Sequence, residues 1–366
     1  MLSAMDQFGN PSSLHAQGAA AAKLLRASRS AVGEALGARF LKEGQLIFTS
    51  CGTEATALAL LGTARAKARR TATVILTTDA EHPSVENNLR LLEAEGFTVL
   101  RTPTVGGALD MDFVRAHCTK DLFMVSMMLV NNETGARYPL EEVFAAAKAA
   151  NPTCVCHCDA VQGFLKVPFS LRTLGADLIT LSAHKIGGPK GVGALYVEEC
   201  ILKERRLSAF LVGGGQEFGL RSGTENMIGI AGFAAAAADG AANARHRMPY
   251  IAGLSARLIE ALDGTAITVN RPAVAAPHIV SITLPSIRSE TMLHYLSEQG
   301  IAVSSGSACS SHAKGPSRTL LAFGLSAAEA DYTLRISFGW QNTEDDVDAL
   351  VTALQQGIDT LVRAKH

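Results

Sequence analysis

Short apolar runs alternate with stretches of helical periodicity through the first two-thirds of the chain. Strands are predicted where mainly apolar residues are bounded by turn residues, at 45–50, 74–78, 97–101, 122–129, 154–158, 177–182 and 194–197. Helical patterns separate several of these runs, at 54–68, 84–95 and 140–149. This alternation predicts an α/β fold with a mainly parallel sheet that is flanked by helices on both faces.

The pattern changes near residue 240. An alanine-rich helical stretch is predicted to end near Met248-Pro249, because proline disrupts a helix interior. A second set of elements follows, with helices predicted at 252–263, 289–299 and 343–363 and strands at 279–284 and 333–338. We therefore predict a large domain, residues 1–245, and a smaller C-terminal α/β domain, residues 246–366.

Composition excludes several classes of protein. Of the 366 residues, 48% are hydrophobic and 18% are charged, which argues against disorder. The net charge of −1 gives no indication of a nucleic-acid-binding surface. The N-terminus lacks the features of a signal peptide, and apolar stretches are interrupted before the roughly 20 residues that a bilayer requires. Seven cysteines without small-scaffold spacing indicate reduced thiols, so we expect a cytoplasmic protein with no membrane segment.

The segment DLITLSAHKIGGPKGVG carries the strongest local signal of chemistry. A buried strand ends in Ser182-Ala183-His184-Lys185 and enters a glycine-rich loop, which is where α/β folds bind ligands. The Lys185 amine can form a Schiff base with an aldehyde cofactor, and Ser182 and His184 can donate hydrogen bonds to a phosphate. An isolated lysine in such a loop is more often a surface residue.

The preceding strand supplies a carboxylate in the segment HCDAVQ. A pyridine-type cofactor needs an ionised partner at its ring nitrogen, a role that Asp159 can fill. Gln162, one turn later, can reach the ring hydroxyl. Taken alone, Asp159 is equally well a helix N-cap, but the lysine one strand later favours the catalytic interpretation.

Three weaker signals support the same site. Gly52-Thr53 opens a helix after a strand, where backbone N–H groups and a hydroxyl can bind phosphate. His82 also follows a strand, and it can stack on a planar ring and move protons. Asn132, at the end of another apolar strand, can contact substrate or ring.

Cys154, Cys156 and Cys158, with His157 among them, are also candidate metal ligands. Their spacing of two places all three thiols on one face of a strand, whereas metal clips more often use a C-x₂₋₄-C turn. We therefore predict that these cysteines are buried as small apolar residues and that they form no metal site.

Together these motifs resemble a known family. FTSCGTE, EH, VNNETG, HCDAVQ, SAHKIGGPKG, GGGQEFGLRSGTEN, SSGSACSS and LRISFG are similar, in the same order, to motifs of the cysteine desulfurases. These belong to the class V aminotransferase family of fold-type I pyridoxal-phosphate enzymes. The likeness runs from Phe8 almost to the C-terminus, and the SSGSAC loop is what narrows it to desulfurases.

The resemblance implies pyridoxal 5'-phosphate as the cofactor and gives each motif a role. Lys185 would hold the cofactor as a Schiff base, and Asp159 would pair with the ring nitrogen. Gln162 would contact the ring hydroxyl, and His82 would stack on the ring. The residues implied at the phosphate are Gly52, Thr53, Ser182 and His184.

It also implies how subunits and substrate are arranged. Thr224 matches a residue that in relatives reaches the phosphate of the neighbouring subunit, which implies a homodimer with shared active sites. Arg335, in LRISFG, would form a bidentate pair with the substrate carboxylate, assisted by Asn132.

Cys309 lies in the run of small and polar residues from 303 to 316, a composition typical of an exposed loop. By resemblance, it takes sulfur from free L-cysteine, leaving L-alanine, and passes the persulfide to an acceptor protein or thiol. Iron–sulfur cluster assembly is one pathway that draws on this chemistry. His312 and Lys314 can help to lower the pKa of the thiol. The alternative for Cys309 is an inert surface thiol.

Two other functions stay open. A selenocysteine lyase, or another class V pyridoxal-phosphate lyase, would use the same cofactor site. Relatives begin with a Leu-Asp-Asn-Ala-Thr-Thr-like segment, and this chain starts after it. A degenerate, non-catalytic scaffold that binds sulfur-relay partners is therefore the second alternative.

Overall fold

The structure is a computed structural model that describes residues 1–66, 72–306 and 315–361. The chain divides into two compact units. The first unit comprises Met1–Arg101, Met111–Leu129 and Pro139–Ala244, and the second comprises Thr102–Asp110, Val130–Tyr138 and Arg245–His366.

A seven-stranded sheet forms the centre of the first unit. Its strands are β1 (Leu46–Thr49), β2 (Val74–Thr78), β3 (Thr98–Thr102), β4 (Leu122–Met128), β5 (Val155–Asp159), β6 (Leu178–Ser182) and β7 (Gly193–Val197). The spatial order is β1-β7-β6-β5-β4-β2-β3. The pairs β2–β4, β4–β5 and β5–β6 are parallel, and β7 runs antiparallel to both its neighbours. The predicted fold class, a mainly parallel sheet with flanking helices, is confirmed.

The middle strands are buried along their whole lengths. Every residue of β4, β5 and β6 is shielded from solvent, as expected for parallel strands covered on both faces. The helices of this unit are α1 (Leu2–Met5), α2 (Ala16–Leu36), α3 (Gly52–Ala57), α4 (Pro83–Ala94), α5 (Met111–His117), α6 (Leu140–Ala150), α7 (Leu171–Leu174) and α8 (Glu199–Lys203).

The helix predicted over 54–68 differs in detail. The α-helix α3 ends at Ala57 and continues as a π-helical turn, Leu58–Gly62. The five residues of this turn are all buried. Packing of this apolar stretch thus decides a local geometry that helical periodicity alone does not report.

The second unit contains a four-stranded antiparallel sheet in the order β10-β11-β9-β8. Its strands are β8 (Thr268–Asn270), β9 (Ile279–Thr283), β10 (Ser304–Ser305) and β11 (Thr333–Ser337). Its helices are α10 (Ser289–Glu298), α11 (Arg318–Phe323), α12 (Ala327–Asp331) and α13 (Glu344–Thr360). Buried side chains from sheet and helices, such as Ile282, Leu334 and Leu354, form one apolar core.

One long helix, α9 (Met227–Leu262), runs through Pro249, so the prediction that a helix ends near 248–249 is wrong. Proline removes one backbone hydrogen bond, but apolar side chains on both sides of it are buried, including Phe233 and Leu258. Within the described residues, α9 is also the one helix whose length and composition would allow it to cross a membrane. Its buried apolar side chains are those of a core helix.

Candidate active site

Lys185 lies just beyond the carboxyl end of a central parallel strand. Strand β6 ends at Ser182, and a single 3₁₀ turn, Ala183–Ile186, carries His184 and Lys185. Gly187 ends this turn in the left-handed conformation (φ +82°), which glycine adopts without steric cost. The sequence thus stops the strand and turns the chain at the sheet edge where α/β proteins bind ligands.

Asp159 ends the adjacent strand β5 and is 6% exposed. Its Oδ1 accepts a hydrogen bond from Val161 N (2.9 Å). Burial raises the pKa of Asp159 to about 6, although this hydrogen bond and the charge of Lys185 both act in the opposite direction. The positive charge of Lys185 thus favours the ionised form of Asp159 and partly offsets the effect of burial.

His82 forms the N-cap of α4. Its Nδ1 accepts a hydrogen bond from Ser84 N (3.1 Å) and lies 2.7 Å from Ser84 Oγ. These contacts place the proton of the neutral ring on Nε2. Burial, and then the charge of Lys185, lower the pKa of His82 to about 4, so the ring is neutral at physiological pH.

The charge of Lys185 acts on three of the predicted site residues. It opposes ionisation of His82 and His184, and it favours the ionised form of Asp159. Three residues from the ends of β2, β5 and β6 are thereby gathered around one amine.

The turn that follows β1 meets the end of β6. A Cβ on Gly52 would lie 3.1 Å from Val161 Cγ2 and 3.3 Å from Ser182 Cβ. The Ser182 hydroxyl and His184 Nδ1 are 2.9 Å apart. Three of the predicted phosphate residues, Gly52, Ser182 and His184, therefore lie together, and the missing side chain at Gly52 leaves space beside them.

Gly193, which no sequence motif singles out, makes this arrangement possible. A Cβ at Gly193 would lie 2.5 Å from Cys51 C and 2.8 Å from Gly52 N. Real Cβ atoms do not approach a backbone so closely. Strand β7 can therefore pack against the Cys51–Gly52 turn only because its first residue is glycine.

Glu81 is a second buried carboxyl, and the sequence predicts no role for it. Its Oε1 accepts hydrogen bonds from Thr78 Oγ1 (2.8 Å) and Met128 N (3.0 Å). Among the described residues, Oε2 has no hydrogen-bond partner. Burial raises the pKa of Glu81 to about 8, and repulsion from Asp159 adds to the rise. The Glu81-His82 pair was visible in the sequence, but its burial was not.

In the second unit, Arg335 and Asn132 lie together. The guanidinium NH1 of Arg335 donates to the backbone oxygen of Asn132 (3.0 Å), and NH2 donates to Ser304 Oγ (3.1 Å). The Asn132 side chain is buried, and its Oδ1 has no hydrogen-bond partner within the part of the chain that the structure describes.

The remaining predicted residues have separate surroundings. Gln162 is partly buried and accepts a hydrogen bond from Lys166 Nζ (3.4 Å). Thr53 and Thr224 are exposed. Cys309, with the neighbouring His312 and Lys314, falls in 307–314, outside the described residues.

The three strand cysteines are buried, as predicted. Cys154, Cys156 and Cys158 are each 0% exposed, and burial is the first cause of the raised pKa of Cys158. His157 lies among them, with Nδ1 2.8 Å from Ser126 Oγ and Nε2 2.9 Å from Thr180 Oγ1. Its hydrogen bonds thus join β5 to both neighbouring strands.

Fold and site together define an α/β enzyme of one class, with a lysine and a buried carboxylate at the ends of adjacent parallel strands. Comparison with protein families agrees. The family model described as Aminotransferase class-V matches residues 2–350. The chain therefore belongs to the class V aminotransferase family.

Individual proteins that are similar to this chain have more specific names than the family. The chain is 36% identical over 360 residues to a protein of Trichormus azollae named cysteine desulfurase, covering 97% of this chain and 87% of that one. Its fold is similar to a solved NifS-like protein, with a TM-score of 0.88, 32% identity and 97% and 93% coverage. A structure of SspA in complex with cysteine is similar too, with a TM-score of 0.78, 30% identity and 92% and 94% coverage.

Proposed function

We propose that this chain is a pyridoxal-phosphate-dependent cysteine desulfurase, which converts L-cysteine to L-alanine and retains the sulfur as a persulfide on Cys309. The observation that carries the proposal is Lys185 beside the buried Asp159 at the carboxyl ends of β6 and β5. Membership of the class V family, and relatives named cysteine desulfurase, support it.

The residues present fit the cofactor. A Cβ at Gly52 would fill the space next to Ser182, and His184 lies within hydrogen-bond distance of the same hydroxyl. Backbone N–H groups, hydroxyls and an imidazole are suitable partners for a phosphate. Thr53 would complete this set, and Gln162 would contact the ring hydroxyl.

Asp159 would hold the ring nitrogen in its protonated form. When bound, pyridoxal phosphate supplies an electron sink for the carbanion that forms at the substrate Cα. The buried position of Asp159 makes its charge effective, because little water competes for it.

Lys185 would attach the cofactor and then move the substrate Cα proton. An amine that serves as a base must be free to accept that proton. His82 would stack on the ring as a neutral imidazole. Its proton is on Nε2, which can donate a hydrogen bond to a group beside the ring.

Arg335 would bind the substrate carboxylate. Its guanidinium is already oriented by the Asn132 carbonyl and the Ser304 hydroxyl, which reduces the entropy lost when substrate binds. The buried Oδ1 of Asn132 can accept a hydrogen bond from the substrate.

Cys309 would be the sulfur acceptor. Its thiolate attacks the substrate sulfur, the Cβ–S electron pair stays on carbon, and protonation of that carbon gives alanine. The product sulfur then remains bound to Cys309 until an acceptor protein or thiol collects it. Because carbon is reduced while sulfur is oxidised, the step needs no external oxidant.

The assembly and its location are further parts of the proposal. Exposed Thr224 is available to reach the phosphate of a neighbouring subunit, so a homodimer with shared sites is proposed. A cytoplasmic location agrees with the reduced cysteines, since all six described ones are free thiols.

The test compares three proteins by absorbance and by product assay. The wild type should show the visible band of lysine-bound cofactor, which changes when L-cysteine is added, and should release alanine. Lys185→Ala should lose that band. Cys309→Ser should keep the band and form no persulfide.

Each outcome separates the alternatives. Faster turnover of selenocysteine than of cysteine by the wild type would favour a selenocysteine lyase. A wild type that binds no cofactor, or releases no alanine, would favour the non-catalytic scaffold. Undiminished persulfide transfer by Cys309→Ser would contradict the role of Cys309.

A further inference from the structure

Arg221 and Glu54 form a partly buried ion pair beside the phosphate turn, residues 50–53, where β1 ends and α3 begins. Arg221 Nε donates to Glu54 Oε1 (2.8 Å), and Arg221 NH2 donates to Glu54 Oε2 (3.4 Å). The two side chains are 19% and 13% exposed. Two hydrogen bonds from one guanidinium to one carboxylate fix the direction of that carboxylate and pair its charge.

Glu54 in turn holds the backbone of the phosphate turn. Its Oε2 accepts a hydrogen bond from Ser50 N (2.7 Å). Burial raises the pKa of Glu54, but the hydrogen bonds from Arg221 and Ser50 outweigh burial. The pKa therefore lies below its ordinary value, and the Glu54 carboxylate is ionised.

An ionised carboxylate at this position opposes the proposed function of the turn. Glu54 directly follows Thr53, which is proposed to bind the cofactor phosphate. Two negative charges repel each other, and the repulsion weakens binding of a phosphate. A guanidinium paired with the carboxylate leaves little net charge there. Glu54 can therefore hold Ser50 N without repelling the phosphate only while Arg221 is present.

A second buried ion pair attaches the loop that carries Arg221 to strand β1. Glu217 is 4% exposed, and its carboxylate accepts hydrogen bonds from Arg29 NH1 (2.6 Å), Arg29 NH2 (2.8 Å) and Phe48 N (2.8 Å). The same guanidinium lies 4.9 Å from the centre of the Phe48 ring and 5.0 Å from the centre of the Phe218 ring. The loop is thus fixed to the strand that leads into the phosphate turn.

The backbone of this loop is strained at two adjacent residues. Glu217 and Phe218 have left-handed conformations, with φ +46° and +60°. Residues other than glycine stay in this region only where surrounding contacts determine the conformation, and such positions cluster at functional sites. Gly223 N also donates to Gln216 Oε1 (3.0 Å), which closes the loop on both sides of Arg221. The loop therefore holds Arg221 in one place.

We propose that Arg221 is a positioning residue for the cofactor phosphate, which pairs with Glu54 so that this carboxylate can hold the phosphate turn without repelling the phosphate. Arg29 and Glu217 fix the loop in which Arg221 lies. Arg221 acts through Glu54 and not on the cofactor itself. The inference rests on the proposed function, because it concerns the phosphate of pyridoxal phosphate.

Titration of the cofactor-free full chain with two aldehydes tests it. Pyridoxal 5'-phosphate carries the phosphate, and pyridoxal has the same ring and aldehyde without it. The absorbance band of the lysine-bound aldehyde reports binding. Arg221→Ala should weaken binding of pyridoxal phosphate by about tenfold or more, since Glu54 is left as an unpaired carboxylate. Binding of pyridoxal should stay within about threefold of the wild type, because it carries no phosphate charge.

Glu54→Gln separates charge from shape. The amide oxygen can still accept from Ser50 N, so this variant should bind pyridoxal phosphate within about threefold of the wild type. The double variant Glu54→Gln/Arg221→Ala has no carboxylate to repel the phosphate, so its affinity should also return to within about threefold of the wild type. A double variant that binds as weakly as Arg221→Ala would overturn the proposed role of charge.

Arg101→Ala is the matched control. Arg101 is 24% exposed and pairs with Glu86 and Glu93. It lies on β3, at the opposite edge of the sheet from β1. This variant should lose thermal stability and keep the wild-type affinity for both aldehydes. An equal loss of pyridoxal phosphate affinity in Arg101→Ala and Arg221→Ala would overturn the positioning role.

Two failures are distinguishable. If the wild type binds pyridoxal phosphate and Arg221→Ala binds it equally well, this inference alone is overturned. The same holds if Arg221→Ala weakens pyridoxal and pyridoxal phosphate by the same factor. A wild type that binds no pyridoxal phosphate overturns the proposed function and, with it, this inference.

Discussion

At the scale of single residues, two buried carboxyl groups in the first unit differ in protonation. Glu81 and Asp159 both lose solvent, but Asp159 gains the charge of Lys185, whereas the partners of Glu81 are the Thr78 hydroxyl and the Met128 amide. Their pKa values rise to about 8 and about 6 respectively. Different surroundings thus leave Glu81 mainly neutral and Asp159 mainly ionised near pH 7.

Glu81→Gln should therefore stabilise the protein at high pH. The pKa of Glu81 rises from 4.5 unfolded to about 8 folded, so the folded state holds a proton that the unfolded state releases. Stability from this group is present below pH 4.5 and falls as pH rises to 8. The amide removes this loss, and we expect about 1–3 kcal/mol more stability at pH 8. Thermal unfolding of variant and wild type at pH 5 and pH 8 measures it, and a difference in stability between the two proteins that is the same at both pH values would contradict it.

Asp159→Asn should lower the catalytic activity. The amide cannot hold a protonated ring nitrogen, so alanine formation should fall by about 100-fold or more. Glu81→Gln is the matched control, because it also turns a buried carboxyl into an amide. If Asp159→Asn keeps wild-type turnover, Asp159 is not the partner of the ring.

Glu81 and Glu133 also show what single residues do not reveal in a sequence. Both stand next to residues that were predicted, His82 and Asn132. A charged residue beside a motif is usually solvated, and only the fold shows that these two are buried. The catalytic candidates Lys185 and Asp159 were easier to predict, because α/β folds bind ligands at the carboxyl ends of their strands.

At the scale of elements, the contact between β7 and the turn before α3 is sensitive to substitution. Gly193→Ala would push a Cβ into Cys51 C and Gly52 N, and the turn must move. We expect affinity for pyridoxal phosphate to fall by about tenfold or more, measured by titration of cofactor-free protein. Gly253→Ala, where a Cβ would meet nothing within 4 Å, is the control and should leave affinity unchanged. Unaltered affinity in Gly193→Ala would contradict this role of the turn.

A polar chain across three strands is the second prediction at this scale. His157 joins Ser126 on β4 to Thr180 on β6, and all three are buried. His157→Leu leaves both hydroxyls without that partner, so the free energy of unfolding should fall by about 2–4 kcal/mol. Urea denaturation measures this loss. A change below about 0.5 kcal/mol would mean that the chain adds little to stability.

Element positions were largely predictable, because the strands are apolar runs bounded by turn residues. Strand β2 occupies the predicted residues 74–78, β5 is shifted by one residue from the predicted 154–158, and β6 begins one residue later than predicted. Helix α9 was not predicted as one piece, since proline usually ends a helix. Tertiary burial of Phe233 and Leu258 on the two sides of Pro249 decides otherwise.

At the scale of the whole molecule, the grouping of distant segments could not be predicted. The second unit includes 102–110 and 130–138 together with the residues after 244. Periodicity reports which local structure a segment forms, and it does not report which partners the segment packs against. The proposed roles of the two units, cofactor binding and delivery of the cysteine loop, stay predictions.

To act as the proposed desulfurase, this class V chain must have three properties. It must bind the cofactor through Lys185, release alanine, and retain sulfur on Cys309. These three properties can fail separately.

The most direct test is an absorbance spectrum of the purified protein before and after addition of L-cysteine, with alanine and persulfide measured in the same sample. We expect a visible band that changes with substrate and about one alanine for each sulfur transferred to Cys309 or to an added thiol. A protein without the band, or with a band and no alanine, would contradict the proposed function.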